Sequence, residues 1–251
     1  MKIGIFDSGK GGTSTLAEIK SLLPDLEYLY LADTKNCPYG EKSDDELYPI
    51  VTANVEKLIN WGAKIIVIAC NTVTTRYIGR LREAYKDIYF IGTEPAIKLA
   101  TTSDAKNILI LATPNTIKSS RLKNLIEKNQ KTNQSIKLLA CPGLAEAIEK
   151  NAPNLNILLK SLFNSVNKDN QNPVAPLNNQ TPITPHNQNQ ITPLDNQNNP
   201  AYDPDLIVLG CTHYCLIKPD IQTFFPHAKL LDGNAGVAKR VKFIVENWSE
   251  K

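Results

Sequence analysis

The sequence predicts an α/β protein built on parallel sheets, and three observations carry that expectation. Uninterrupted runs of branched apolar residues recur along the chain. Segments with helical spacing separate them, and proline or glycine stands where such segments should stop. Lys2–Phe6 is the first apolar run, ended by Asp7-Ser8-Gly9-Lys10-Gly11-Gly12. A helical pattern follows through Leu16, Ile19, Leu22 and Leu23 and is closed by Pro24. Tyr28–Ala32 repeats the strand signal. Asp44 to Trp61 has helical spacing (Leu47, Val51, Val55, Leu58, Ile59), with Gly62 at the expected C-terminal stop. Ile65–Ala69 is an unbroken apolar run, as in a strand buried on both faces. Ile88–Gly92, Ile108–Ala112, Ile136–Ala140 and Leu206–Leu209 have the same character. A helix from about Gly236 to Trp248 closes the pattern.

The stretch 170–199 departs from this alternation. Fourteen of its 30 residues are Asn or Gln, prolines are interspersed, and a degenerate repeat shows in Gln180-Thr181-Pro182-Ile183 and Gln190-Ile191-Thr192-Pro193-Leu194. Such composition buries too little apolar surface to offset its ordering entropy, so the expectation is a flexible surface insertion at about 168–203. At 251 residues with 42% hydrophobic content, the chain can hold one large domain or two small ones. The net charge is +3 without a Lys/Arg block, which argues against a nucleic-acid partner. No run approaches the roughly 20 apolar residues of a membrane span. The opening apolar run is cut at Asp7, too early for the core of a signal peptide. Five cysteines, an odd number without framework spacing, read as reduced thiols of a cytoplasmic protein.

Two strands end alike. Ile65–Ile68 runs into Ala69-Cys70-Asn71-Thr72, and Leu206–Leu209 runs into Gly210-Cys211-Thr212-His213. Ligands of open α/β sheets bind at the carboxyl ends of strands, so both thiols stand where chemistry happens. Either cysteine alone also reads as a small buried hydrophobe; the pair hints at two half-sites facing one cleft. Inverting an α-carbon requires one group to remove a proton from one face and a second to deliver one to the other. A thiol, with an ordinary pKa of about 8.5, needs only a modest shift to serve as base or acid near neutrality. Asp7, at a strand end, and His213, two residues from Cys211, are candidates to manage those protons.

Four blocks, in order and spacing, resemble the glutamate racemases. They are Ile3-Gly4-Ile5-Phe6-Asp7-Ser8-Gly9 with Gly11-Gly12; Ala32-Asp33-Thr34 with Pro38-Tyr39-Gly40; Ile68-Ala69-Cys70-Asn71-Thr72; and Leu209-Gly210-Cys211-Thr212-His213-Tyr214. The resemblance implies two similar parallel-sheet α/β domains with the active site in the cleft between them. It implies residues 1–95 plus 208–251 in the first domain and 96–207 in the second. It implies Cys70 and Cys211 as catalytic thiols, with Asp7, His213 and Glu149 assisting, Glu149 because it follows Cys141-Pro142 at a short distance. Substrate contacts fall on Asp7, Ser8, Tyr39, Gly40, Asn71, Thr72, Thr116, Thr212 and His213. No pyridoxal phosphate, other cofactor or metal is implied. The partners implied are glutamate and a second copy of the chain as a homodimer, and the role is supply of D-glutamate for peptidoglycan.

The chain departs from the family pattern in three places. Val73-Thr74-Thr75 replaces the usual Ala-Ser-Ala, Cys215 stands where proline usually follows His-Tyr, and Gly143–Ala147 lacks a bulkier, proline-containing segment. Rival readings are aspartate racemase, which uses the same two-thiol logic, and a racemase-like protein that binds an acidic amino acid without turnover. Gly9-Lys10-Gly11-Gly12 faintly resembles a phosphate-cradling loop but lacks its Gly-Lys-[Ser/Thr] end. Cys211, His213 and Cys215 with Cys70 could be imagined around zinc, although their spacing matches no common zinc pattern.

Overall fold

A computed structural model describes residues 1–168 and 202–248, and the expected insertion at 170–199 lies outside them. The described residues form two four-stranded sheets, parallel throughout. The first contains β1 (Lys2–Asp7), β2 (Glu27–Ala32), β3 (Ile65–Ile68) and β4 (Tyr89–Gly92), in the order β2-β1-β3-β4. The second contains β5 (Asn107–Ala112), β6 (Ser135–Ala140), β7 (Leu206–Leu209) and β8 (Lys229–Leu231), in the order β6-β5-β7-β8. The two orders are the same: the first strand is central, the second lies outside it, and the third starts the other wing.

Helices α1 (Thr13–Leu22), α2 (Asp44–Asn60) and α3 (Asn71–Ala84) flank the first sheet; α4 (Ile97–Thr102), α5 (Pro114–Ile117), α6 (Ser120–Asn129), α7 (Leu144–Glu149), α8 (Leu155–Lys168) and α9 (Lys218–Phe224) belong to the second half. The last helix, α10 (Asn234–Glu246), returns to pack on α1. Local chemistry explains the boundaries. The Ser43 hydroxyl accepts from the Glu46 N–H and caps α2, whose first turn carries Asp44, Asp45 and Glu46 against the helix dipole. Gly62 stops it at φ +98°, a conformation costly for any side chain.

Uninterrupted apolar strands follow from helices on both faces. Ile66 and Ile68 pack with Val51, Val55, Leu58 and Val73 of α2 and α3, while Ile65 and Val67 pack with Ile19, Val237, Ala238 and Val241 of α1 and α10. In the second sheet Ile207 and Leu209 meet Leu144, Leu159 and Ile221, and Leu206 and Val208 meet Ile97, Leu122 and Ile126. Each such side chain contributes roughly 1.5–3 kcal/mol when taken from water.

The division expected at 207/208 differs from the pairing. That point falls inside β7, which bonds to β5 from Leu206 through Leu209, and β8 adds to the same sheet. The return to the first half comes only with α10. The chain therefore crosses between halves at 93–96 and again at 232–233. The crossings touch: a Cβ on Gly233 would lie 3.0 Å from the Glu94 carbonyl oxygen.

Candidate active site

Strand register places the two cysteines equivalently. Phe6 pairs with Ile68 and Leu111 with Leu209, so Cys70 and Cys211 each stand two residues beyond the last paired residue of the third strand in their sheet. Both are buried and neither is in a disulfide. The Cys70 Sγ lies 3.6 Å from Ser8 Oγ, a donor contact at sulfur distance. Burial pushes the Cys70 thiol up to about 11 and the Asp7 charge adds to the rise; the N–H groups of Val73 and Thr72, with the Ser8 hydroxyl, oppose it. Burial also raises Cys211 well above the ordinary thiol range, and Cys70 raises it further, so the two thiols sense each other. Its relief comes from the His213 backbone N–H.

Around Cys211 the side chains form a relay. His213 is buried, with Nδ1 3.9 Å from Cys211 Sγ and Nε2 2.8 Å from Glu149 Oε2. The carboxylate accepts from Nε2–H, which leaves Nδ1 as the acceptor facing the thiol. Glu149 is fixed from the first half of the molecule: the Lys10 N–H donates to Oε2 at 2.9 Å, and Lys10 Nζ donates to the Glu149 carbonyl at 3.0 Å and to Asn151 Oδ1 at 2.6 Å. Lys10 therefore clasps the opposite half through both its N–H and its amino group. Gly11 is needed for close packing against the turn after β7, since a Cβ would stand 2.5 Å from the His213 backbone nitrogen.

Asp7 ends β1 and is fully buried. Its two oxygens accept from the Thr212 hydroxyl at 3.1 and 3.0 Å, another contact between halves. Burial raises its carboxyl to about 6, with His213 and Thr212 pulling down against the burial and Glu149 adding to the rise. Thr72, Thr113 and Thr116 form a third bridge. Their hydroxyls lie 2.9 Å apart for Thr72 and Thr113, 3.4 Å for Thr72 and Thr116, and 3.1 Å for Thr113 and Thr116. Asn71 Oδ1 is buried without a hydrogen-bond partner among the described residues.

Tyr39 and Gly40 lie where the first half meets Asn115 of the second. The Tyr39 hydroxyl donates to Asp33 Oδ2 at 2.5 Å, beside a 3.0 Å bond from Asn54 Nδ2, and its ring meets Phe6. The main chain does the bridging: Asn115 Nδ2 donates to the Tyr39 carbonyl at 3.1 Å and its N–H to the Gly40 carbonyl at 2.9 Å. The zinc set imagined from spacing does not gather. Cys215 Sγ turns toward the Cys211 carbonyl and Asn234. Among the described residues, the ligand atoms that converge are those of Cys37, Glu149 and His213, all within 4.8 Å of one another.

A sequence model described as Asp/Glu/Hydantoin racemase matches residues 13–168, more than half of the chain. The chain belongs to the Asp/Glu/Hydantoin racemase family. Glutamate racemase of Clostridium acetobutylicum is 36% identical to it over 244 residues, 96% of this chain and 82% of the relative. That of Halothermothrix orenii is 36% identical over 244 residues, 96% of this chain and 84% of the relative. Among solved structures, Escherichia coli glutamate racemase in complex with L-glutamate and the activator UDP-MurNAc-Ala superposes with a TM-score of 0.77 at 29% identity. The match covers 99% of this chain and 83% of that one.

Within this racemase framework the departures behind Cys70 are absorbed by the main chain. Thr74 Oγ1 donates to the Ile68 carbonyl at 3.1 Å and accepts from the Thr93 N–H at 3.0 Å, and Thr75 Oγ1 donates to the Asn71 carbonyl at 2.9 Å. Lys10, Thr113 and Asn115 join the two halves at the site without a catalytic motif around them in the sequence. Only Thr113 carries a local signal, a capping threonine before Pro114 directly after a strand. Among the described residues no helix is long and apolar enough to cross a membrane.

Proposed function

We propose that this chain is a cofactor-independent glutamate racemase that interconverts the L and D enantiomers with Cys70 and Cys211 as opposed acid and base. The observation that carries this reading is the equivalent placement of two buried cysteines after the third strands of two like sheets. One thiol removes the α-proton from one face while the other protonates the opposite face, and the roles exchange with direction.

A working base has to lose its proton, and burial opposes that for both thiols. The surroundings supply acceptors. His213 Nδ1 takes the Cys211 proton, and the Glu149 carboxylate stabilises the imidazolium that results. At Cys70 the two N–H groups and Ser8 favour the thiolate, and the buried Asp7 carboxylate, whose charge the thiol feels, is the candidate proton acceptor. The unpartnered Asn71 Oδ1 is suited to accept from a substrate ammonium. Ser8, Thr72, Thr116 and Thr212 supply hydroxyls for the carboxylates, whose preorganised bonds stabilise the charge that develops without an electron sink. The same reading includes a cytoplasmic homodimer that supplies D-glutamate for peptidoglycan, which rests on family resemblance.

Purified, reduced protein incubated with L-glutamate or L-aspartate without added cofactor, followed by chiral chromatography, tests the proposal. D-glutamate should accumulate toward an equal mixture. Inversion of aspartate alone would move the substrate assignment to the shorter acid, and inversion of neither by folded protein would overturn the reading.

A further inference from the structure

Cys37 has no part in the proton-transfer scheme, yet its sulfur reaches into it. Its Sγ lies 4.0 Å from His213 Nε2, which lies 2.8 Å from Glu149 Oε2, and the three ligand atoms fall within 4.8 Å. We propose that Cys37, His213 and Glu149 form a site for a divalent transition metal of the zinc class, and that metal bound there shuts off the racemase chemistry. This inference rests on the function proposed above for its inhibitory consequence, although not for the binding itself.

The donor set fits. One sulfur, one imidazole nitrogen and one carboxylate oxygen suit a borderline-soft ion and disfavour magnesium or calcium, which take oxygen. In a tetrahedral zinc site, bond lengths of about 2.0–2.3 Å put ligand atoms roughly 3.4–3.6 Å apart. Reaching that from separations of 4.0 and 2.8 Å, and at most 4.8 Å for the third pair, takes relative shifts on the order of 1 Å. The ligands come from three separate segments: the loop after β2, the end of α7 and the turn after β7. Gly9 packs closely against the cluster and tolerates no side chain there, since a Cβ would stand 2.6 Å from Glu149 Oε2 and 2.8 Å from His213 Nε2. The Lys10 N–H already bonds Glu149 and holds it in place, as outer groups do around metal ligands. Three protein ligands leave a fourth position for water.

Binding releases the Cys37 thiol proton, and no electrons move. With Nε2 on the metal, the ring proton resides on Nδ1, so the imidazole no longer accepts from Cys211. The Glu149 bond that steadied the imidazolium is spent as well.

The test uses whole protein, Zn²⁺ and Co²⁺. Wild type should bind one equivalent of Zn²⁺ by calorimetry, show a thiolate-to-cobalt charge-transfer band with Co²⁺, and lose racemase activity reversibly to chelator. Cys37→Ser and Cys37→Ala should keep basal turnover, lose the band and need about tenfold or more Zn²⁺ for the same inhibition. Using both variants guards against one that fails to fold. Equal zinc sensitivity in wild type and a folded Cys37 variant would place the metal on the other thiols and overturn the proposal. Absence of the band in wild type would also overturn it. A wild type that shows the Cys37-dependent band but no racemase activity would leave the metal site standing and overturn only the functional reading.

Discussion

The two halves of this molecule share a strand order and a cysteine position but support their thiols by different means. Cys70 stands at the N-terminus of a fourteen-residue helix, where two backbone N–H groups and the Ser8 hydroxyl favour its thiolate. Cys211 leads into a six-residue 3-10 segment, Thr212–Ile217, and depends on a side-chain relay through His213 and Glu149. The first strands differ too. β1 ends in the buried carboxylate Asp7, whereas β5 ends in Ala112. Equivalent backbones therefore carry unequal electrostatics. A reaction that treats two mirror-image substrates alike needs two proton-transfer groups, not two identical surroundings.

Removing the thiols is the most severe way to probe this comparison. Cys70→Ala and Cys211→Ala should each lower racemisation by about a thousandfold or more, with circular dichroism unchanged. Substantial activity in either folded variant, by chiral chromatography, would break the idea that both halves are obligatory.

The carboxylate that only the first half carries gives the next largest effect. Its pKa is raised from 3.8 to about 6, so the folded state holds its proton over a window in which the unfolded chain has lost it. The sign is fixed: this contribution favours folding below pH 3.8 and is lost as pH rises through about 6. Asp7→Asn does not titrate. Thermal unfolding across that range should show its stability relative to wild type improving by up to about 3 kcal/mol as pH rises. A difference that stays flat with pH would show that burial does not strain Asp7.

The mildest change addresses the relay. Glu149→Gln keeps an acceptor for His213 Nε2 but removes the charge, and should lower kcat on the order of tenfold. The α-deuterium isotope effect should increase for the enantiomer whose proton goes to Cys211. An equal increase for both would show that the relay serves the two halves alike.

The sequence made the halves legible where strands are buried on both faces. Ile65–Ile68 and Leu206–Leu209 have no polar interruption because helices cover both sides, and the cysteines that follow could be placed at strand ends without coordinates. Lys229–Leu231 carries no sequence signal, because three residues are too few to show a period. The extension of the second sheet to residue 231 therefore leaves no trace in the sequence pattern. The site was legible as residue types but not as partnerships. Glu149 was matched only through family resemblance; its bonds to His213 and to Lys10 span 64 and 139 positions. Cys37 carried no local mark, since its significance lies in a histidine 176 residues away.

The paired crossings at 93–96 and 232–233 set how the halves can move. Two neighbouring covalent connections define an axis, so shear and twist between the halves meet resistance while rotation about that axis is the softest displacement. One angle then sets the separation of the strand ends that carry Cys70 and Cys211. Were Cys70 and Cys211 the acid–base pair proposed above, entry of a ligand and alignment of the pair would share a single mechanical coordinate.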